Sequence, residues 1–186
     1  MLIPGTPFPE LKTIACTSTE PGQEFRVIGP EDYSGKWLVL YTYPKDFTFV
    51  CPTEILEFDA KLAEFNDRSA VVLGGSTDNE HSHLAWRNSH PGLAGIRHPL
   101  LFIGPSLAAS LGVVHPKSGV AVRATFIVDP EGIVRFSSAN DLSVGRNVDE
   151  VLRVLDGLRT GELVACAWKK GETTLSEELA RVQRAS

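Results

Sequence analysis

Short runs of hydrophobic residues alternate with amphipathic stretches along most of the chain. The runs at residues 36–43, 70–76, 99–103 and 119–128 are rich in branched and aromatic residues, as buried strands are. A smaller hairpin is predicted at residues 14–28, where a Pro-Gly turn separates two strand-like segments. The pattern therefore predicts a sheet assembled from several separate parts of the chain.

Helices are predicted between these strands. Ile55, Phe58, Leu62 and Phe65 share one face of the first helix, which begins near Cys51. Strands that alternate with helices, and that finish in an antiparallel hairpin, favour an α/β fold with a central mixed sheet flanked by helices. We interpret it as a thioredoxin-like fold with a C-terminal extension.

Polar residues mark the ends of two further helices. Thr77 and Glu80 have the spacing of a capping box, and Asn147 with Glu150 marks the start of the last predicted helix. Gly161 ends that helix. At 186 residues the chain is long enough for one domain, which we assign to residues 1–160, followed by a tail at 161–186.

The sequence around Cys51 has features of a reactive site. Pro44 ends the preceding strand, and Pro52 fits only the first turn of a helix, so Cys51 is predicted at a helix N-terminus. The free N–H groups and the helix dipole favour a thiolate there. Thr48 either caps this helix or turns its hydroxyl toward whatever approaches the sulfur. A lone cysteine is usually a small buried hydrophobic residue, so this hypothesis needs a charge partner in a partly exposed setting.

Arg123 interrupts an otherwise apolar strand. A buried guanidinium is costly unless it is paired, because it cannot lose its charge. One interpretation is a structural salt bridge, for example to Glu54. The other places Arg123 beside Cys51, where it would hold the thiolate and bind an oxygen of a substrate.

The composition narrows the class of function. The net charge of -5 and the lack of a long basic run argue against nucleic acid or an anionic membrane as a partner. No basic leader and no hydrophobic run near ~18 residues is found, so we expect a cytoplasmic protein that does not span a membrane. Small soluble partners are the better expectation.

The cysteine and histidine spacings give no metal site. Cys16, Cys51 and Cys166 include no CxxC pair. Cys16 lies in the first strand of the small hairpin, and we expect a structural or incidental role because nothing nearby would lower its pKa. His81 and His83 point to different faces of a helix, so a site with His90 is not favoured.

Pro44, Thr48 and Cys51 match the P-x-x-x-T-x-x-C signature of peroxiredoxins. Residues 46–54 resemble the version found in the alkyl hydroperoxide reductase C group, of the typical two-cysteine type, and the resemblance extends over residues 36–175. It implies a thiol peroxidase in which Cys51 attacks the peroxide and becomes a sulfenic acid. Arg123 and Thr48 would orient the peroxide, and Pro44 would shield the pocket.

The resemblance also implies supporting residues and partners. Glu54 and Arg146 would form a polar shell, and no metal or organic cofactor is needed. The electron donor would be a thiol or disulfide reductase: thioredoxin, a flavoprotein or a disulfide-carrying adaptor. A homodimer is expected, and dimers in this family often assemble into rings.

The C-terminal segment departs from the group. The resolving cysteine is expected at Val164, but the cysteine is Cys166, two residues later and about 7 Å further along an extended tail. We expect Cys166 of the partner subunit to resolve the sulfenic acid as a disulfide. Alternatives are a one-cysteine peroxidase recycled by an external thiol, an oligomeric holdase chaperone and a protein disulfide reductant, the last disfavoured by the lack of CxxC.

Overall fold

The computed structural model of the chain describes residues 1–185, which fall into two compact units, residues 1–146 and a smaller unit that begins at Asn147. The strands are β1 (Thr13–Cys16), β2 (Phe25–Ile28), β3 (Trp37–Thr42), β4 (Ala70–Ser76), β5 (Leu100–Phe102), β6 (Arg123–Val128) and β7 (Val134–Asn140). The helices are α1 (Pro30–Tyr33), α2 (Cys51–Ala60), α3 (Leu62–Asn66), α4 (Glu80–Ser89), α5 (Pro105–Leu111), α6 (Val148–Thr160) and α7 (Leu175–Ala185).

The strands of the first unit form one mixed sheet with the order β2-β1-β5-β4-β3-β6-β7. Strands β3, β4 and β5 are parallel, and β6 pairs antiparallel with β3. A parallel arrangement needs both faces covered by other elements, which explains why β3 and β4 are apolar on both sides. The predicted α/β fold with a mixed central sheet is confirmed.

The two faces of β3 bury different sets of side chains, because successive residues of a strand point to opposite faces. Leu38 and Leu40 belong to one core cluster together with Phe126 of β6. On the other face Tyr41 stacks on Phe58 of α2, with ring centroids 4.1 Å apart and planes 6° from parallel. This stack fixes α2 against the strand that leads to the candidate site.

Two predicted helices differ in detail from those observed. The first is interrupted at Lys61, which leaves helical geometry, and a separate α3 then brings Phe65 within 6.0 Å of Phe58. The prediction of a capping box at Thr77 was wrong. Helix α4 is capped by Asn79, whose side chain accepts a hydrogen bond from the N–H of Ser82 at 2.9 Å.

The second unit contains one helix that was predicted and one that was not. Helix α6 is capped by Asn147, which accepts from Glu150 N–H at 3.2 Å, and it ends at Gly161 with φ 65°, as predicted. Helix α7 was not predicted, and it leaves Leu179 and Val182 largely exposed. Within residues 1–185 no helix combines the length and apolarity needed to cross a bilayer.

Candidate active site

Cys51 is the first residue of α2, as predicted from Pro52. The N-cap is Val50, and no side chain caps this end of the helix. The positive end of the helix dipole therefore lies next to the sulfur. Cys51 is fully buried, with 0% of its surface exposed, so the expectation of a partly exposed sulfur is wrong for this conformation.

Arg123 provides the charge partner that Cys51 needs. Strand β6 lies beside β3 and places the guanidinium, which is 3% exposed, with Nη1 at 3.4 Å from Cys51 Sγ. The same Nη1 donates to Glu54 Oε2 at 2.6 Å. Nε donates to the carbonyl of Leu142 at 2.9 Å, which fixes the side chain. Both interpretations of Arg123 therefore hold. Its guanidinium forms the salt bridge to Glu54, and it also lies beside the sulfur of Cys51.

A second buried guanidinium, Arg146, shares the carboxylate of Glu54. Its Nε donates to Oε1 at 2.9 Å and its Nη2 donates to Oε2 at 3.1 Å. Nη2 also donates to the carbonyl of Thr42 at 2.6 Å, next to the loop that leads to Cys51. Two cations therefore share one carboxylate, which leaves one positive charge to balance a thiolate at Cys51.

Thr48 does not cap α2, so that interpretation was wrong. Its hydroxyl donates to the carbonyl of Lys45 at 3.0 Å, inside the loop that precedes the helix. With the proton used in this way, the oxygen keeps lone pairs that can accept a hydrogen bond from a ligand. Pro44 is buried at the start of the same loop.

Asp46 anchors the loop at residues 44–50, a role that sequence reasoning missed. Its carboxylate accepts from Tyr43 Oη at 2.9 Å, Ser82 Oγ at 2.9 Å and His83 Nδ1 at 2.8 Å. The other ring nitrogen of His83 lies 3.1 Å from the carbonyl of Leu101. His83 therefore links the loop at residues 44–50 to β5 through its two ring nitrogens. The signal available in the sequence was an aspartate within an aromatic-rich segment.

An open groove of about 510 Å³ runs along the outside of the loop. It is bordered by Thr48, Pro52 and Trp86 together with Phe47 and Phe49, of which Phe49 is 95% exposed. Phe47 has φ 56°, in the left-handed region that a bulky residue rarely adopts. Cys51 does not border this groove.

Cys16 has a cation beside it, contrary to the sequence prediction. Arg87 Nη1 lies 3.7 Å from Cys16 Sγ, and Arg87 reaches it from α4, far along the sequence. Burial still raises the pKa of Cys16 overall, since it outweighs the opposing effect of Arg87. Cys16 is therefore a buried thiol whose raised pKa favours the neutral form, and it is not part of the Cys51 site.

Cys166 lies in the second unit and is exposed, within a turn rather than an extended tail. Ala167 adopts φ 58° at this turn, and Trp168 is buried directly after it. The loop is closed behind the turn because Leu175 N–H donates to the carbonyl of Leu163 at 2.9 Å.

The three histidines considered as metal ligands, His81, His83 and His90, make separate contacts. His83 belongs to the Asp46 anchor, while His81 contacts the ring of Phe25 edge-on at 4.8 Å between centroids. His90 Nδ1 accepts from the N–H of Gly92 at 3.2 Å. These histidines do not converge on one point.

The mixed sheet and the buried Cys51–Arg123 pair have the arrangement expected of a peroxiredoxin, and comparisons with known proteins show the family. The model of the AhpC/TSA family matches residues 4–137. The chain is 46% identical to alkyl hydroperoxide reductase C of Mycolicibacterium smegmatis, over 95% of this chain and 94% of the relative.

Solved structures show the same likeness. Mycobacterium tuberculosis AhpC aligns with a TM-score of 0.79 and 44% identity, over 86% of this chain and 99% of that one. A reduced 2-Cys peroxiredoxin of Plasmodium vivax aligns with a TM-score of 0.85 and 33% identity, over 94% and 93% of the two chains. The chain belongs to the AhpC/TSA family of peroxiredoxins, and the predicted thioredoxin-like fold is confirmed.

Proposed function

We propose that this chain is a thiol-dependent peroxidase that reduces hydrogen peroxide and organic hydroperoxides through Cys51. The observation that carries the proposal is the 3.4 Å contact between Arg123 Nη1 and Cys51 Sγ at the start of α2. Family membership supports the same activity. The role belongs to antioxidant defence in the cytoplasm, where thiols are kept reduced.

The first step is a displacement at oxygen. The thiolate of Cys51 attacks the nearer peroxide oxygen, an S–O bond forms and the O–O bond breaks. The departing oxygen takes a proton and leaves as water or an alcohol, while Cys51 becomes a sulfenic acid. Arg123 stabilises the charge that moves onto the departing oxygen, and Thr48 accepts a hydrogen bond from the peroxide hydroxyl.

The buried sulfur requires a movement of the loop at residues 44–50. Pro44 and Cys51 are both buried, and the groove beside Phe49 stops short of the sulfur. We propose that the loop opens toward this groove to admit peroxide, and later to expose the sulfenic acid. The exposed Phe49 and the strained backbone of Phe47 support movement at this point of the loop.

Rapid consumption of hydrogen peroxide by the reduced protein tests the proposal. In a stopped-flow experiment under single-turnover conditions, we expect the loss of peroxide to depend on Cys51 and to disappear in Cys51→Ser. Cys16→Ser is the matched control, and it should react like the unaltered protein. A slow reaction, or one that survives in Cys51→Ser, would remove the peroxidase proposal.

We propose that Cys166 of the partner subunit resolves the sulfenic acid in a homodimer. The partner's thiolate attacks Cys51 sulfur, a disulfide forms, and hydroxide leaves and takes a proton to give water. The exposure of Cys166 supports this role. A thiol or disulfide reductase, namely thioredoxin, a flavoprotein or an adaptor, then returns both cysteines to thiols. A ring of such dimers is the larger assembly that the proposal includes.

The resolving role of Cys166 predicts a covalent dimer. After one equivalent of peroxide, a non-reducing gel should show a dimer band that Cys51→Ser and Cys166→Ser each abolish. Cys16→Ser should leave the band intact. A dimer that persists in Cys166→Ser would contradict the assignment, and a peroxide-reactive protein that never forms a dimer would indicate recycling by an external thiol.

A further inference from the structure

A second set of buried polar residues lies on the same face of the sheet as α2, away from the reacting sulfur. Tyr41 is fully buried in β3, and its Oη lies 2.6 Å from Nε2 of His98, which is 2% exposed. His98 Nδ1 lies 3.5 Å from Oδ1 of Asp59, near the end of α2. Asp59 also accepts hydrogen bonds from Arg97 at the surface, both from the backbone N–H of Arg97 at 2.6 Å and from the Arg97 guanidinium.

The proton positions on Tyr41 and His98 follow from their burial. Burial raises the pKa of Tyr41 well above its ordinary value, so its hydroxyl remains a donor. Burial likewise lowers the pKa of His98, despite the nearby Asp59 carboxylate and with the cations of Arg87 and Arg97 adding to the effect. A neutral His98 has one N–H; because Nε2 accepts from Tyr41, the proton is on Nδ1, which lies 3.5 Å from Asp59 without forming a hydrogen bond.

The sheet is built to accommodate this arrangement. Gly74 of β4 is the register partner of Tyr41, and a Cβ added there would lie 2.4 Å from the Tyr41 hydroxyl. Any other residue at this position would force the hydroxyl away from His98. The close approach therefore depends on glycine.

Tyr41 connects this second set of buried polar residues to the active site. The guanidinium carbon of Arg146 lies 5.1 Å from the centroid of the Tyr41 ring, a cation–π distance, while Phe58 stacks on the ring. With its hydroxyl held by His98 and its ring held by Phe58, Tyr41 presents a fixed aromatic surface to Arg146. Arg146 in turn holds Glu54, which contacts Arg123.

We propose that Tyr41, held by His98 and Phe58, is a positioning residue for the peroxide reaction, because it sets how Arg146 and Arg123 share the carboxylate of Glu54. This inference rests on the proposed function. When Arg146 is held in place, it neutralises much of the charge on Glu54, and the charge of Arg123 is available to Cys51. Loss of the tether lets Arg146 shift, and Glu54 then draws more of that positive charge away from the sulfur.

The test compares Tyr41→Phe with the double variant Tyr41→Phe/His98→Leu. Tyr41→Phe keeps the ring but leaves His98 Nε2 without a partner in the core, so both stability and reaction should suffer. We expect the rate constant with hydrogen peroxide at about pH 7 to fall roughly three- to tenfold. The pH at half-maximal rate should rise, because the thiolate is less well stabilised.

The double variant separates positioning from simple packing. It removes the unpaired nitrogen, so its thermal midpoint should return toward that of the unaltered protein, while the rate and the pH profile stay displaced. Tyr33→Phe is the matched control: it removes a tyrosine hydroxyl bonded to the backbone of Leu11, and should leave the pH profile unchanged.

Two results would overturn the inference. One is a folded Tyr41→Phe protein with an unchanged rate and pH profile, and the other is a double variant whose rate recovers together with its stability. If the unaltered protein fails to consume peroxide, the proposed function itself is overturned, and the inference with it. The three results are distinguishable in the same set of measurements.

Discussion

Replacing Arg123 with leucine should reduce the rate of reaction with hydrogen peroxide by about 10²–10³-fold, the range seen when one preorganised donor to a transition state is removed. Arg123 is the only group found within hydrogen-bonding distance of Cys51 Sγ among the contacts of residues 1–185. Its loss removes both the attraction that favours the thiolate and the donor available to the departing oxygen. Stopped-flow rates over a range of pH values measure both effects.

The Arg123 variant needs controls for folding and for charge. Glu54 keeps Arg146 as a partner at 2.9 Å, so the remaining carboxylate is not left unpaired. Circular dichroism before the kinetic measurement establishes that the variant is folded. Arg135→Leu removes an arginine of β7 whose side chain is 47% exposed, and it should change the rate little. A folded Arg123→Leu protein within about threefold of the unaltered rate would contradict this role, since one donor should cost far more.

Replacing Asp46 with alanine should destabilise the protein by about 3 kcal/mol, because several buried groups lose one shared acceptor and each unsatisfied group costs about 1–3 kcal/mol. Asp46 and His83 have fully buried side chains, and alanine leaves His83, Tyr43 and Ser82 without their common acceptor. Urea unfolding followed by fluorescence measures the loss. The loop at residues 44–50 should also become sensitive to proteases, because Asp46 attaches it to α4.

Glu57→Ala gives the comparison for Asp46. Glu57 is a carboxylate of α2 with a 51% exposed side chain, 3.6 Å from Lys61, and exposed pairs of this kind contribute about 1 kcal/mol or less. We expect its unfolding midpoint to stay close to that of the unaltered protein. If Asp46→Ala is as stable as Glu57→Ala, the buried anchor does not hold the loop in the way described.

Local signals in the sequence were sufficient for most of the elements and for the pairing of Cys51 with Arg123. Pro52 placed Cys51 at the start of α2, and Asn147 and Gly161 marked both ends of α6, because caps and proline act within one turn of the chain. Arg123 was found because a charge within an apolar strand requires an explanation. Helix α7 was not predicted, although Leu175, Leu179 and Val182 have the i, i+4, i+7 spacing of an amphipathic helix.

The remaining features depend on contacts between residues far apart in sequence. The approach of Arg87 to Cys16, the anchor of Asp46 to His83 and the contact of Tyr41 with His98 are fixed by how strands and helices are placed. The burial of Cys51 also depends on the folded loop, so a helix N-terminus alone could not predict it. Periodicity and caps carry no information about these pairings.

Trapping of a sulfenic acid with a carbon nucleophile tests the central claim most directly. Reduced Cys166→Ser protein, in which the sulfenic acid has no resolving thiol, is treated with one equivalent of hydrogen peroxide in the presence of the trap and digested for mass spectrometry. The account predicts the adduct on Cys51, in near-stoichiometric yield, with Cys16 unmodified. An adduct on Cys16 instead, or no adduct while peroxide is consumed, would contradict it.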